Sequence, residues 1–279
     1  MGGFNDTLCQ IEKAWRYADR HDRTLLVDSR FSGLLDDFGR YFRLLDADSR
    51  TQLSFDVERM RFIESLAIVP RCLHGRVNTY ATTWDPSFKN FSDKDTGELL
   101  TFDFDADYDE DLLVHHQCWG GVDSIECLAR LTLCDELRTE FTARLSSLGD
   151  DYVGVHVRNT DYRTDYRTFF ASIHDDLIQK IVVVCSDDYT CREYGKRFFE
   201  KSTVVTLSDV PDTKGWPLHA NTGLDRYHTN TNMLLDLLAL AGAARLYFTD
   251  HDLGFPSGFS VLAQLLNARR AVLAGLLRG

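Results

Sequence analysis

The sequence predicts an α/β fold whose second half is a parallel sheet covered by helices on both faces. Apolar, largely β-branched runs at 152–157, 181–185, 203–207 and 245–249 alternate with stretches of helical length, and that alternation makes a parallel sheet. Most of these runs end in polar groups that fall on one sheet edge: His156, Arg158 and Asp161, then Ser186, Asp187 and Asp188, then Thr249 and Asp250. The 279 residues suit one large or two modest domains, and the small and acidic residues from Ser147 to Asp151 set a boundary, giving domains 1–148 and 149–279.

The first half opens on Gly2-Gly3-Phe4-Asn5-Asp6. Leu8, Ile11, Trp15 and Ala18 then mark the inner face of a helix that Asn5 or Asp6 can cap. Glycines before a helix N-terminus let backbone N–H groups approach an anion, although a Gly-Gly pair also serves as a plain tight turn. In a Rossmann-like layer such a loop follows a strand; here only Met1 precedes it, so another segment fills that place or the strand is missing from the sequence. A short strand is expected over Leu25-Leu26-Val27-Asp28. Leu34, Leu35, Phe38, Tyr41, Phe42 and Leu45 form a helical stripe, and a mixed apolar stretch from Arg59 to Val69 stops at Pro70.

Turn signals follow at Asp85-Pro86 and Asp95-Thr96-Gly97. The acidic run Asp103–Asp111 lacks the register and the sixth-position glycine of an EF-hand, so it reads as a solvated loop. His115, His116 and Cys118 lack a fourth ligand at metal-binding spacing, and no metal is expected. Residues 122–148 read as one long or broken helix.

In the second half, strand 152–157 carries His156 and Arg158 two residues apart. Both side chains therefore lie on one face, at the strand end where open α/β sheets bind ligands. A guanidinium there suits a phosphate, and an Arg158–Asp161 ion pair is the competing, purely structural reading. Helices are expected near 167–179 and 189–200, from a cap at Thr229 or Asn230, and after Pro256. Asp236 is the conspicuous charge of an otherwise apolar helix, open to a dipole role, a pair with Arg245 or a ligand contact.

Composition narrows the function. A hydrophobic fraction of 44% allows a full core, while a net charge of -12 excludes non-specific attachment to nucleic acid or anionic membrane through overall charge. The seven cysteines are scattered without a CxxC pair, as in a reducing cytoplasm. No signal peptide opens the chain, and no uncharged apolar run approaches the ~20 residues of a membrane span. A cytoplasmic protein with at most peripheral membrane association is expected.

The glycine loop, with Arg23-Thr24-Leu25 following it, resembles the opening of the protein O-fucosyltransferase and α-1,6-fucosyltransferase superfamily. His156-Val157-Arg158-Asn159-Thr160-Asp161 is similar to that family's His-x-Arg-x-x-Asp motif. Ser186-Asp187-Asp188 and Ser257-Gly258-Phe259-Ser260 resemble its two later motifs, in the same order along nearly the whole chain. The resemblance implies a GT-B fold, two Rossmann-like domains facing a donor cleft, and an inverting, metal-independent transfer from a GDP-sugar with no cofactor. Arg158 would stabilise the departing diphosphate and His156 would position the donor. Ser257, Gly258, Phe259 and Ser260 would hold the diphosphate, with Gly3, Phe4 and Asn5 closing over it. Ser186 would also bind the donor, and Asp187 or Asp250 would meet guanine or ribose.

Three positions depart from the family pattern: Asp6 for Asn or Gln, Gly258 for a second Ser, and Asn159 for a common Arg. They leave the donor sugar open, with GDP-fucose the first expectation. The resemblance, in a chain expected to carry no anchor, implies a bacterial enzyme that modifies an oligosaccharide or lipid-linked surface glycan. Asp28 and Asp161 are open to the role of general base. The alternative is a non-catalytic nucleotide- or sugar-binding protein on the same scaffold.

Overall fold

Helix α1 (Phe4–Arg20) begins with Gly3 as its N-cap, earlier than a cap at Asn5 or Asp6 would give. Asp6 instead reaches back, its Oδ2 accepting the Gly3 N–H at 2.9 Å. A computed structural model of the chain describes residues 2–58, 60–161, 163–218, 221, 223–250 and 254–278. Met1 before the glycine loop, Arg59 at the start of the 59–69 stretch and Tyr162 in the edge loop lie outside the described residues. Leu8, Ile11, Trp15 and Ala18 are all buried, as their spacing requires.

Short strands follow: β1 (Leu25–Leu26), β2 (Phe42–Leu44), β3 (Thr51–Gln52), β4 (Ile68–Val69), β5 (Thr82–Asp85), β6 (Asn90–Asp93) and β7 (Leu112–Leu113). β1 pairs with β3 and β4 with β7 in parallel, while β5 and β6 form a hairpin around the Asp85-Pro86 turn. The stripe from Leu34 to Leu45 is not a helix. Leu35 sits at φ +50°, which an α-helix cannot hold, and only a 3₁₀ turn over Phe38–Arg40 precedes β2. The 59–69 stretch likewise yields a 3₁₀ turn, Arg61–Ser65, and then β4.

Residues 122–148 break into α2 (Ser124–Ala129), β8 (Leu131–Leu133) and α3 (Asp135–Ser146). The break exists because β8 pairs antiparallel with β2, Phe42 opposite Leu133.

The second half follows the expected order: β9 (Tyr152–Val157), α4 (Tyr166–Leu177), β10 (Ile181–Ser186), α5 (Tyr189–Phe198), β11 (Thr203–Val205), α6 (Arg226–Gly242), β12 (Arg245–Phe248) and α7 (Gly258–Ala268). Helix α6 starts before the expected cap, because Asp225 accepts the His228 N–H at 3.1 Å. Asn230, expected at the cap, is buried instead and donates to Leu34 O and Tyr41 Oη at 2.9 and 3.0 Å. The last helix breaks at Arg269, and α8 (Arg270–Leu277) turns back onto the first half. There Thr132 Oγ1 donates to the carbonyls of Leu276 and Arg278 at 3.3 and 3.0 Å.

The main sheet runs β11-β10-β9-β12, all parallel. Val153, Val155 and Val157 pack with Phe170, Leu177 and Phe199 of the α4–α5 side. The opposite face meets α6 in a core that continues through α7 and α8 into α1, β2 and α2. Gly154 permits the α6 approach: a Cβ there would lie 3.2 Å from Leu240 and Ala243 side chains.

All seven cysteines are free thiols. Among the described residues, no helix is long and apolar enough to cross a membrane.

Candidate active site

The order β11-β10-β9-β12 reverses direction between β9 and β12, because the chain builds outward from β9 on one side and then returns to its other side. The crevice outside such a switch point is where open α/β sheets bind ligands. His156, Arg158 and Thr249 stand there, with the Thr249 N–H donating to His156 O at 3.3 Å. Thr249 Oγ1 is buried without a partner among the described residues, a polar group open to a ligand or water.

Arg158 is held by two carboxylates. Its Nη2 lies 2.7 Å from Asp161 Oδ1 and its Nη1 lies 2.9 Å from Asp187 Oδ2. The side chain keeps 20% of its surface exposed, enough for its outer edge to meet a ligand. Asp187, 8% exposed, has both oxygens occupied: Oδ1 accepts the Asn159 N–H at 2.9 Å, and Oδ2 accepts from Thr160 Oγ1 as well as Arg158. The geometry makes Asp187 an anchor of the β9 loop. Asn159 extends the brace, donating to Asp188 Oδ2 at 2.7 Å and accepting the Thr164 N–H at 3.1 Å. These roles of Asn159 and Thr160 are the part of the site that the motif reading did not supply. Their position directly after the strand was the available signal.

His156 is 5% exposed, its Nδ1 paired with Ser260 Oγ at 2.8 Å and its ring 5.0 Å from that of Phe259. Burial, reinforced by the Arg158 charge, pushes its pKa down to about 3, so it is neutral at physiological pH. Ser257 caps α7, its Oγ accepting the Ser260 N–H at 3.2 Å. Gly258, next in line, lies against Asn5: a Cβ there would stand 3.4 Å from the asparagine side chain. The first turns of α1 and α7 therefore meet, and free N–H groups at both helix starts favour negative charge.

Asn5 does not present its side chain to that space. It is 4% exposed, donates to Gly121 O at 3.1 Å and accepts from Ser124 Oγ at 2.6 Å, which ties α1 to α2. Phe4 is buried against Phe42 and the Gly3 N–H is taken by Asp6 Oδ2, so the glycine-loop contribution is limited to the backbone N–H groups that follow Gly3 in the first turn of α1. Ser186 turns inward, its Oγ accepting the Asp188 N–H at 3.1 Å. Asp250 is exposed, its backbone bridging Pro256, and among the described residues no hydrogen bond ties its carboxylate to the Arg158 cluster.

Asp28, open as a base from sequence, is bridged by Arg30, with Nη2 2.6 Å from Oδ2. Asp236 Oδ2 accepts from Ser208 Oγ, and Arg192, bound to the same serine, lies near enough for its charge to act on the carboxylate; no pair of Asp236 with Arg245 occurs among the described residues. His115 bonds to Thr101 Oγ1 and Gln10 Oε1, and His116 to Tyr80 Oη. No cluster of metal-ligating side chains occurs among the described residues. Burial pushes His115 down to about 3 and His116 to about 4.

With His156, three histidines thus stay neutral in the fold, whereas the unfolded chain takes up protons near pH 6.5. A depressed folded pKa gives stability that is complete above about pH 6.5 and lost as pH falls toward about 4, roughly 1 kcal/mol per histidine at about pH 5.5. Urea unfolding at two pH values should show this loss; equal stability at both would contradict it.

No model of a known protein family matches the sequence, and neither does any curated protein. Solved structures do match. The crystal structure of NodZ α-1,6-fucosyltransferase co-crystallised with GDP is 20% identical, with 95% of this chain and 89% of that chain covered and a TM-score of 0.62. The same enzyme soaked with GDP-fucose gives 20% identity, the same coverage and a TM-score of 0.60. Fucosyltransferase NodZ from Bradyrhizobium gives 19% identity, coverage of 95% and 90%, and a TM-score of 0.60. The expectation carried by the sequence motifs is borne out at the level of fold: this chain has the mixed α/β, parallel-sheet architecture of the GT-B fucosyltransferase structures.

Proposed function

We propose that this protein is a glycosyltransferase that transfers fucose from GDP-fucose to a glycan, with inversion and without a metal ion. The observation that carries this reading is Arg158, fixed by Asp161 and Asp187 at the switch point of the sheet, two residues after His156, which bonds to Ser260 in the first turn of α7. GDP and GDP-fucose in the fold-related NodZ crystals support the choice of donor. Residues 149–279 would supply most of the donor site and residues 1–148 the acceptor side.

The diphosphate would sit between Arg158 and the N–H groups at the starts of α1 and α7. As the bond from the sugar C1 to the diphosphate oxygen breaks, its electron pair leaves with GDP, and these fixed positive groups stabilise the growing charge. The guanidinium does there what a divalent cation would otherwise do. His156, neutral and held by Ser260, orients the α7 turn. Asp161 holds the arginine and is not a free base.

The acceptor hydroxyl attacks C1 from the opposite face and gives its proton to a carboxylate.

Calorimetric titration with GDP, GDP-fucose, UDP and UDP-glucose tests the donor. Guanine nucleotides should bind and uridine nucleotides should not. Equal binding, or none, would overturn the assignment. The non-catalytic alternative gains if GDP-fucose binds yet releases no GDP with any glycan offered.

A further inference from the structure

An exposed tryptophan stands beside the donor site, on the turn from Cys118 to Gly121. Trp119 keeps 64% of its surface in solvent. Single exposed aromatics are ordinary on a protein surface, but this one is carried by a backbone held along its length. Asn90 brackets Cys118, its Oδ1 accepting the Cys118 N–H at 2.8 Å and its Nδ2 donating to Cys118 O at 3.3 Å. Gln10 Nε2 donates to the Trp119 carbonyl, and Asn5 Nδ2 donates to Gly121 O at 3.1 Å. Gly120 lies so close to α1 that a Cβ there would overlap Asp6 Oδ1. The indole is thus held out by a fixed turn, and little backbone freedom is left to lose when a ligand covers it.

The turn also has a particular place. Asn5, which holds Gly121, meets Gly258 at the start of α7, so the turn borders the space between the two helix starts where the diphosphate would sit. On its other side Trp119 lines a cavity of about 540 Å³ along the exposed face of α1, within the roughly 300–1,000 Å³ of small-molecule sites.

The charged groups of that wall are of both signs. Arg16 is bound to Glu12 at 2.8 Å and to Asp123 at 3.2 Å. Lys13, Arg20 and Asp105 complete the charged lining among the described residues. The Lys13 ammonium stands 4.1 Å from the centre of the Phe104 ring, and Arg20 donates to Phe104 O at 3.4 Å. Such a wall sets up no strong field for an anionic or a cationic ligand, yet it offers hydrogen-bond donors and an acceptor beside an aromatic face. That combination fits a neutral pyranose, whose C–H bonds form an apolar face for the indole while its hydroxyls meet the charged side chains.

We infer that Trp119 is the platform on which the acceptor glycan lays one neutral sugar ring, and that it positions the acceptor hydroxyl beside the donor. The inference rests on the glycosyltransferase reading and names a positioning residue for the same site.

The probes are three neutral tetrasaccharides, cellotetraose, N-acetylchitotetraose and β-1,4-mannotetraose, each titrated into the full chain by calorimetry and by tryptophan fluorescence. At least one should bind and shift the indole emission. Trp119→Ala should weaken that sugar on the order of tenfold, the loss of one stacked face, with the denaturation midpoint and the GDP affinity of the parent. Trp119→Phe should keep most of the affinity and lose the emission shift, a signature that a merely structural role would not give. Trp216→Ala removes an indole that is 68% exposed in the other half, and it should change neither readout.

Binding of none of the three sugars, unchanged affinity in Trp119→Ala, or the same loss in Trp216→Ala overturns the inference. GDP is titrated separately. If GDP fails to bind and a sugar binds through Trp119, the donor assignment falls and the platform stands; the reverse result removes only the platform.

Discussion

Replacing Arg158 with alanine is expected to weaken GDP binding by on the order of 100-fold, the loss of charge-assisted hydrogen bonds to a diphosphate. GDP release from GDP-fucose should fall further, on the order of 1,000-fold, because charge on the leaving diphosphate is greatest in the transition state. The fold should survive. Asp187 keeps its bonds from Asn159 N and Thr160 Oγ1, and Asp161 is partly exposed, so the stability cost is about 1–2 kcal/mol. Arg158→Lys separates charge from shape. A lysine supplies a cation but cannot span Asp161 and Asp187 while meeting a phosphate, so it should recover only part of the binding. Unchanged affinity and turnover in a folded Arg158→Ala protein would remove the arginine from the mechanism.

Asp236→Ala should have the largest effect on stability, about 3–5 kcal/mol, because it strands a buried cation. Asp236 and Arg192 are 8% and 5% exposed, and Ser208 lies between them. Ser208 Oγ donates to Asp236 Oδ2 at 2.7 Å, while the Arg192 guanidinium donates to Ser208 Oγ at 3.4 Å and to Ser208 O. Burial raises the Asp236 pKa and the Arg192 charge opposes that rise. A loss of that size is a large share of the roughly 5–15 kcal/mol that holds a domain together. Changing both partners to apolar residues of similar volume (Asp236→Leu with Arg192→Met) should restore much of it. Denaturant midpoints of the three variants decide the matter. A single variant as stable as the parent would show that the pair is dispensable.

The second half was legible because its central strands, β9 and β10, are β-branched and buried on both faces, and its helices carry clear apolar periods. Val182 to Val184 and Val153 to Val157 could hardly be read otherwise. The first half resisted because its pairings are brief and distant in sequence. Phe42–Leu44 becomes a strand only through Leu131–Leu133, and neither run announces its partner. Leu34 to Leu45 carried helical spacing, but a positive φ at Leu35 and the pull of β8 overrode it.

At the site, Arg158, His156 and the Ser257–Ser260 cap could be found because strand ends and helix starts have sequence signatures. The occupancy of Asp187 could not, since a carboxylate in a sequence does not reveal which groups will fill its oxygens. Nor did the alternation of strands and helices give their order, which sets Thr249 beside His156. Asn5 carried the motif but spends its side chain on Gly121 and Ser124, a contact 119 residues away.

The return of α8 to β8 sets a timetable for the chain on the ribosome. Thr132 cannot form its bonds until the residues 144 and 146 positions later have emerged. The core around α1, β2 and α2 likewise lacks Leu273 and Leu276 until then. The half that is made first is therefore completed last. It must wait, partly assembled, while the parallel sheet is synthesised, and a nascent chain stalled near residue 148 would present an unfinished apolar surface to chaperones.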